Sequence, residues 1–181
     1  GLTERHIMSP SLMGLKGAKQ PTPQVLKGRY VRLEPMHAEC HRAELWAALQ
    51  GEGADPHQWE YLPYGPFQSQ GEFNDWLAKR QDGADPMCFT IVSQTTGAAT
   101  GLISLMEILP EHGCIEIGHV AFGRVMQRSP ASTEAVWLLA QWVFDTLGYR
   151  RLEWKCNSEN QRSKATARRL GFTFEGVFRQ H

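Results

Sequence analysis

Between Met87 and Phe122, three strand-forming runs follow one another with connections too short for a crossover. Met87–Ser93 and Ala98–Leu109 flank Gln94-Thr-Thr-Gly97, and Cys114–Phe122 follows Glu111-His-Gly113. A few residues can join antiparallel neighbours, whereas a parallel return needs a dozen or more. An antiparallel meander is therefore the frame on which everything else must be placed. After it the period changes. Val125-Met-Gln-Arg-Ser-Pro-Ala-Ser132 opens a long amphipathic helix to Leu147, with Val136, Leu139, Val143 and Leu147 as its stripe, Trp142 beside it and Gly148 as its left-handed cap. Arg150–Cys156 reads as a strand. Ser158 with Gln161 makes a capping box for a helix to Leu170, and the segment 172–181 alternates as a last strand.

Upstream, Arg29–Glu34 alternates as a strand and His37–Gln50 is helical, with Leu45, Trp46 and Leu49 apolar. Gly51–Gln68 is rich in turns and aromatic residues. Ser69 and Glu72 cap a second helix to Gly83, turning Phe73, Trp76 and Leu77 inward. The order β-α-α-β-β-β-α-β-α-β describes an α/β fold with a mixed sheet, antiparallel early and βαβ-like late. A chain of 181 residues suits one domain and needs no metal or disulfide staple. Residues 1–8 read as an expression-tag remnant with Met8 as the native start. Residues 9–27, rich in Ser, Pro, Gly and Lys, read as a mobile tail. The domain is thus expected over 28–181.

Lys+Arg and Asp+Glu are 19 each, so no bulk positive charge points to nucleic acid, and no apolar run is long enough to span a membrane. Cys40, Cys88, Cys114 and Cys156 lie too far apart for a Cys-x-x-Cys site. Without a secretory signal they read as free thiols in a reducing, cytoplasmic setting. His37, Cys40 and His41 cluster, but no second ligand pair follows. A polar helix face is expected there, and no metal.

Two stretches carry chemistry. One is Ile115-Glu-Ile-Gly-His-Val-Ala-Phe122 with Gln127-Arg-Ser-Pro-Ala-Ser132. The other is Cys156-Asn-Ser-Glu-Asn-Gln-Arg-Ser163 with Ala167-Arg-Arg-Leu-Gly-Phe172. Together they resemble the GNAT N-acetyltransferases, in the branch similar to the RimJ/RimL ribosomal-protein enzymes, over roughly 28–181. The resemblance implies a GNAT fold: a mixed, mostly antiparallel central sheet flanked by helices, whose fourth and fifth strands, here 114–122 and 150–156, splay apart. It also implies one further strand beside the penultimate one, so that this chain stops short and leaves an edge exposed.

The same resemblance implies acetyl-CoA as co-substrate and direct acetyl transfer to a primary amine, a protein N-terminus or a small molecule, by a monomer or homodimer. The alternatives are an inactive CoA-binding module, or an enzyme for another acyl-CoA. A helix start suits a pyrophosphate, so Gln127 and the amides of Arg128, Ser129, Ala131, Ser132 and Thr133 are its candidate donors. The family pattern here is Gln/Arg-x-x-Gly-x-Gly/Ala. Pro130 replaces its first glycine and removes one N–H, while Ser132 replaces its second and can add a hydroxyl. Backbone groups of Val120 and Phe122 would pair with the pantetheine arm. An amide near Val120 or Ala121 would polarise the thioester carbonyl.

Asn157 ends its strand. Asn160 would bond the pantetheine arm, and Ser163 would lie near the sulfur. Glu116 is the candidate base and His119 the alternative. A covalent route through Cys156 is disfavoured, since it shares a strand face with Leu152 and Trp154 that reads as core. Trp59-Glu-Tyr-Leu-Pro-Tyr-Gly-Pro-Phe67 lies where the family builds part of its acceptor pocket. Arg150, Arg151, Arg162, Lys164, Arg168 and Arg169 form a basic cluster that serves CoA phosphates or an RNA-bearing partner or, by default, is a solvated face.

Overall fold

A computed structural model describes residues 2–9, 17–52, 54–55, 57, 59, 62, 64–157 and 159–179. Eight strands form one sheet: β1 (Leu2–Met8), β2 (Leu26–Lys27), β3 (Val31–Pro35), β4 (Met87–Ser93), β5 (Ala99–Leu109), β6 (Cys114–Phe122), β7 (Arg151–Asn157) and β8 (Thr173–Arg179). Four helices accompany them: α1 (Ala38–Leu49), α2 (Gln70–Arg80), α3 (Pro130–Gln141) and α4 (Gln161–Arg169). The strand order is β2-β3-β4-β5-β6-β7-β1-β8, and among the described pairings only β6–β7 is parallel. This is the expected mixed, mostly antiparallel α/β sheet. The expected long helix is instead α3 followed by a π-turn over Trp142–Thr146, after a 3-10 turn over Arg124–Met126.

The start of the chain departs most from expectation. Residues 2–8, which read as a tag remnant, are part of the sheet. They form β1, antiparallel to both β7 (Thr3↔Asn157 to Met8↔Leu152) and β8 (Leu2↔Arg179 to Ile7↔Thr173). The position beside the penultimate strand, expected to be open, is therefore filled from the N-terminal side. Thr3 and Ile7 are buried on one face of β1 and His6 on the other, which suits such a place, because a strand between two others needs both faces covered. Leu26–Lys27 also pairs, with β3.

Two apolar clusters lie on opposite faces of the sheet. α3 and α4 cover one with Ile115, Ile117, Val136, Leu139, Leu152, Trp154 and Cys156. α1 and α2 cover the other with Leu45, Leu49, Phe73, Leu77, Cys88 and Leu102. Glu134 of α3 ties the layers together, its carboxylate accepting from the backbone N–H of Arg29, Tyr30 and Val31 at 2.7–2.9 Å. His41 departs from the expected polar helix face. It is buried, with Glu34 Oε1 3.0 Å from Nε2 and the Thr90 hydroxyl 3.0 Å from Nδ1.

Candidate active site

The parallel ladder of β6 and β7 runs from Cys114↔Arg151 to Ile117↔Trp154 and stops. From Gly118 onward no strand lies on that side of β6 among the described residues. The cause is local. Gly118 and Ala121 of β6 face Ser104 and Leu102 of β5, so β6 carries one extra residue there, and His119 adopts φ 49°. Such a bulge bends its strand and sharpens the twist, which parts β6 from β7. The expected splay of 114–122 from 150–156 is thus present as a fork. Glu116 and Gly118 share a sheet face with Met106 and Ser104, their partners on β5. A Cβ at Gly118 would come 2.1 Å from Met106 Sδ, so glycine lets that side chain lie against the fork.

Glu116 stands at the base of this fork. Only 5% exposed, it is not a solvated strand residue. Its Oε1 lies 2.9 Å from Lys155 Nζ on β7. Burial pushes its carboxyl up, while the hydrogen bond and charge of Lys155 pull it back. Its protonation is therefore set by two opposed effects.

His119, the alternative base, is engaged elsewhere. Its Nδ1 lies 3.0 Å from the Tyr64 hydroxyl, and the two rings stack at 5.6 Å. Burial, with the nearby Arg80 charge, lowers its pKa and favours the neutral imidazole. Tyr64 continues into Trp76 and Arg80, whose guanidinium carbon is 5.1 Å from the Tyr64 ring and 4.0 Å from the Trp76 ring. Trp59 is a plug: it is buried, with Nε1 donating to Leu49 O at 3.1 Å. Residues 60, 61 and 63 of the aromatic loop lie outside the described residues.

Past the end of β6 the chain turns into α3. Ser129 is its N-cap, accepting from Ala131 N at 3.2 Å and donating to Met126 O at 2.7 Å. The Ala131 amide, one of the expected anion donors, is therefore already engaged by the cap. Ser132 also departs from expectation. Its hydroxyl is buried and donates to Ser129 O at 3.2 Å, because the first turn folds it inward. Arg128, Ser129, Pro130, Thr133, Glu134, Trp137, Arg169 and Leu170 line an open cavity of about 710 Å³. It combines a helix start, two cations and a half-exposed indole. Gln127 Nε2 donates to Phe122 O at 3.4 Å, and Gln127 Oε1 accepts from Arg162, which also reaches Asp55 at 2.7 Å.

Asn160 caps α4, its Oδ1 accepting from Ser163 N at 3.3 Å. The capping expected of Ser158 falls outside the described residues. Asn157 closes β7 opposite Thr3, and its side chain also lies outside them. Cys156 is buried and its thiol is pushed up to about 12, chiefly by burial. No group of three or more His, Cys, Asp or Glu among the described residues is placed to hold a metal, and none of the helices there is long and apolar enough to cross a membrane. Much of the basic cluster is paired: Arg151 with Glu153 and Glu175, Arg162 with Asp55, Lys164 with Glu4.

Four features escaped the sequence: Lys155 opposite Glu116, the Tyr64–His119 contact, the Arg80 stack and the Arg162 bridge. Each depends on strand register or loop path. Only the alternation of Lys155 with Trp154 and Cys156 hinted that it leaves the core face.

The model of the acetyltransferase (GNAT) domain family matches residues 31–173. Among solved structures, a GCN5-related N-acetyltransferase from Brucella melitensis is 43% identical, with a TM-score of 0.86, over 94% of this chain and 76% of that one. A probable acetyltransferase (GNAT family) from Chromobacterium violaceum is 38% identical, with a TM-score of 0.80, over 93% and 83%. The apo structure of RimL, a ribosomal L7/L12 alpha-N-protein acetyltransferase, shares the fold at 20% identity, with a TM-score of 0.70 over 90% and 88%. No curated protein matches the chain.

Proposed function

This chain belongs to the GNAT acetyltransferase family, and on that premise we propose that it moves the acetyl group of acetyl-CoA to a primary amine, in the manner of the RimJ/RimL-like branch. The observation that carries this is the fork: an unpaired β6 edge leading from a buried carboxylate to the start of α3. The site's chemistry fits the co-substrate. The open cavity at α3 offers Arg128, Arg169 and helix-start amides to phosphates, and Trp137 to an aromatic base. The β6 edge, through Val120 and Phe122, offers backbone groups to an amide-bearing arm.

Acetyl-CoA supplies a thioester whose sulfur departs as a thiolate without strong assistance. The chain's own groups do the rest. Gln127, Arg128, Ser129, Thr133 and the backbone amide of Ser132 frame the phosphate end, while Ala131 N supports the cap. A backbone amide near Val120 or Ala121 polarises the carbonyl. The side-chain amide of Asn160 binds the arm while its oxygen caps α4, and Ser163 lies near the sulfur. Asn157 ends the strand beside them. The attacking amine must be neutral, and its ammonium has a pKa of ~7.7–8.0 at an N-terminus or ~10.4 on lysine. Glu116 takes that proton, and Lys155 draws its carboxyl pKa back down against burial. Free cysteines suit a reducing, cytoplasmic setting.

Incubation with acetyl-CoA and a panel of amino acids, N-terminal peptides and small amines tests this by thiol release and product mass. One acetyl group added to an amine is expected. CoA binding without transfer to any amine would identify a binding module instead. Transfer of another acyl group in preference would reassign the donor.

A further inference from the structure

Trp76 and Arg80 stand one turn apart on α2, in the wall above the fork. Among the charged side chains around the fork, Lys155, Arg151, Arg162 and Lys164 each have a carboxylate partner. Arg80 has no carboxylate partner among the described residues. Its guanidinium lies against the faces of Trp76 and Tyr64. Its Nε–H and the Nε1–H of Trp76 are buried with no acceptor among the described residues. Stacking explains where the guanidinium plane rests, but it leaves both donors empty. A buried donor without a partner is costly, and native proteins rarely keep one without a reason.

The chemistry that would satisfy two neighbouring N–H groups, one on a fixed cation, is an anionic oxygen. A planar carboxylate matches the guanidinium fork best. The place also fits. Cys88, Ser104 and Gly118 stand side by side across β4, β5 and β6, and Glu116 follows on the same face. The Arg80 charge reaches Cys88, Tyr64 and His119. The Arg80 charge thus acts on groups that flank Ser104 and Gly118, on the sheet face that also carries the Glu116 anion. A zwitterionic acceptor matches that pair, with its ammonium toward Glu116 and its carboxylate on the wall.

We infer that Trp76 and Arg80 form a carboxylate-binding subsite for the acceptor, so that preferred amines carry an anionic group near the nitrogen, as an α-amino acid or a peptide with an acidic N-terminal segment does. This rests on the acetyl-transfer function proposed above and adds the acceptor class to it.

The test compares acceptors that differ only in charge: alanine with alaninamide, and a Ser-Glu dipeptide amide with its Ser-Gln counterpart. Wild-type kcat/KM is expected to favour the charged member of at least one pair by roughly 10- to 100-fold, the range of one charged hydrogen-bonded contact. The pair that responds tells a free amino acid from an acidic peptide. Arg80→Gln should lower kcat/KM for the charged member at least about tenfold more than for the neutral one. Arg80→Lys, which keeps the charge but loses the planar fork, should fall between. Acetyl-CoA binding and melting temperature check that the variants fold.

A second measurement needs no turnover. Quenching of tryptophan fluorescence by N-acetylalanine, with N-acetylalaninamide as control, should show binding of the acid alone, lost in Arg80→Gln. Acid-selective binding without acetylation of any amine would keep the subsite and remove the transfer function. Transfer with no preference for charged acceptors and no acid-selective quenching would overturn the subsite and leave the transfer function standing.

Discussion

Lys155 Nζ lies 2.9 Å from Glu116 Oε1, although backbone pairing between their strands has already ended at Ile117↔Trp154. The ion pair therefore bridges the fork by side chains where the ladder no longer does. Glu116→Gln is expected to lower kcat by about 10²–10⁴-fold, the usual contribution of a positioned base. Lys155→Met removes the charge that pulls the Glu116 carboxyl down and leaves burial to push it up. The acidic limb of kcat/KM against pH should then move to higher pH. A limb that does not move in pH–rate profiles of the two proteins would exclude Glu116 as the titrating base.

The same carboxylate bears on stability. Burial raises its pKa against the opposing Lys155, so the folded protein holds this proton more tightly than the unfolded chain does. Its stabilising contribution is full below the unfolded value and is lost as pH rises through the folded one. Melting temperatures of wild type and Glu116→Gln, compared from about pH 4 to about pH 8, should give a wild-type-minus-variant difference that turns more negative with rising pH. The opposite slope would mean that the ion pair outweighs desolvation.

Asn160 has two separable duties. As N-cap its oxygen accepts from Ser163 N. Asn160→Asp keeps that acceptor and should retain stability, whereas Asn160→Ala should cost about 0.5–2 kcal/mol. Both remove the amide donor, so both should raise the KM for acetyl-CoA. Ser163→Ala should change kcat by less than about tenfold, because a thiolate of pKa ~8.5 leaves unaided. Loss of turnover in Ser163→Ala with CoA binding intact would make Ser163 a required proton donor to the leaving sulfur.

Cys88 and Cys156 are buried, their thiols pushed up to about 11 and about 12, in both cases chiefly by burial. Neither supplies a thiolate near neutral pH. Brief alkylation followed by intact mass should modify exposed Cys40 and spare these two. Cys156→Ala should retain turnover, and no acylated protein should accumulate under acetyl-CoA. An acetyl adduct on Cys156 would establish a covalent route.

Glu134 holds three consecutive amides at the entry to β3. Glu134→Ala should cost about 1–3 kcal/mol in denaturant unfolding, since the Val31 amide is half-buried and cannot turn fully to water. Space made by the truncation should let Gly28→Ala be tolerated in the variant, because a Cβ at Gly28 would meet the Glu134 carboxylate at 2.3 Å. Additive losses in the double variant would separate the two sites.

Local signals carried far in this chain. Strand-forming runs bounded by short turns located β4 and β6 to the residue, and Ser69 and Ser129 mark helix starts whose side chains accept from their own first turns. The Glu116 candidate came from a charge between two isoleucines. What alternation could not supply was partnership. Lys155 meets Glu116 only through a parallel register that no local pattern encodes. The segment 2–8 carries no alternation and reads as a tag remnant, and only the place between β7 and β8 makes it a strand. Ser132 turned inward because helix phase, not residue type, decides which hydroxyl faces an incoming anion.

That β1 lies between β7 and β8 has a consequence for synthesis. β7 lies roughly 145–155 residues later in the chain and β8 roughly 165–177. During vectorial translation β1 therefore leaves the ribosome before either partner exists, and its second ladder can form only after β8 has followed. The segment that emerges early is thus the one that closes the sheet late, and its long-range pairing adds to the entropic cost of the last step in folding.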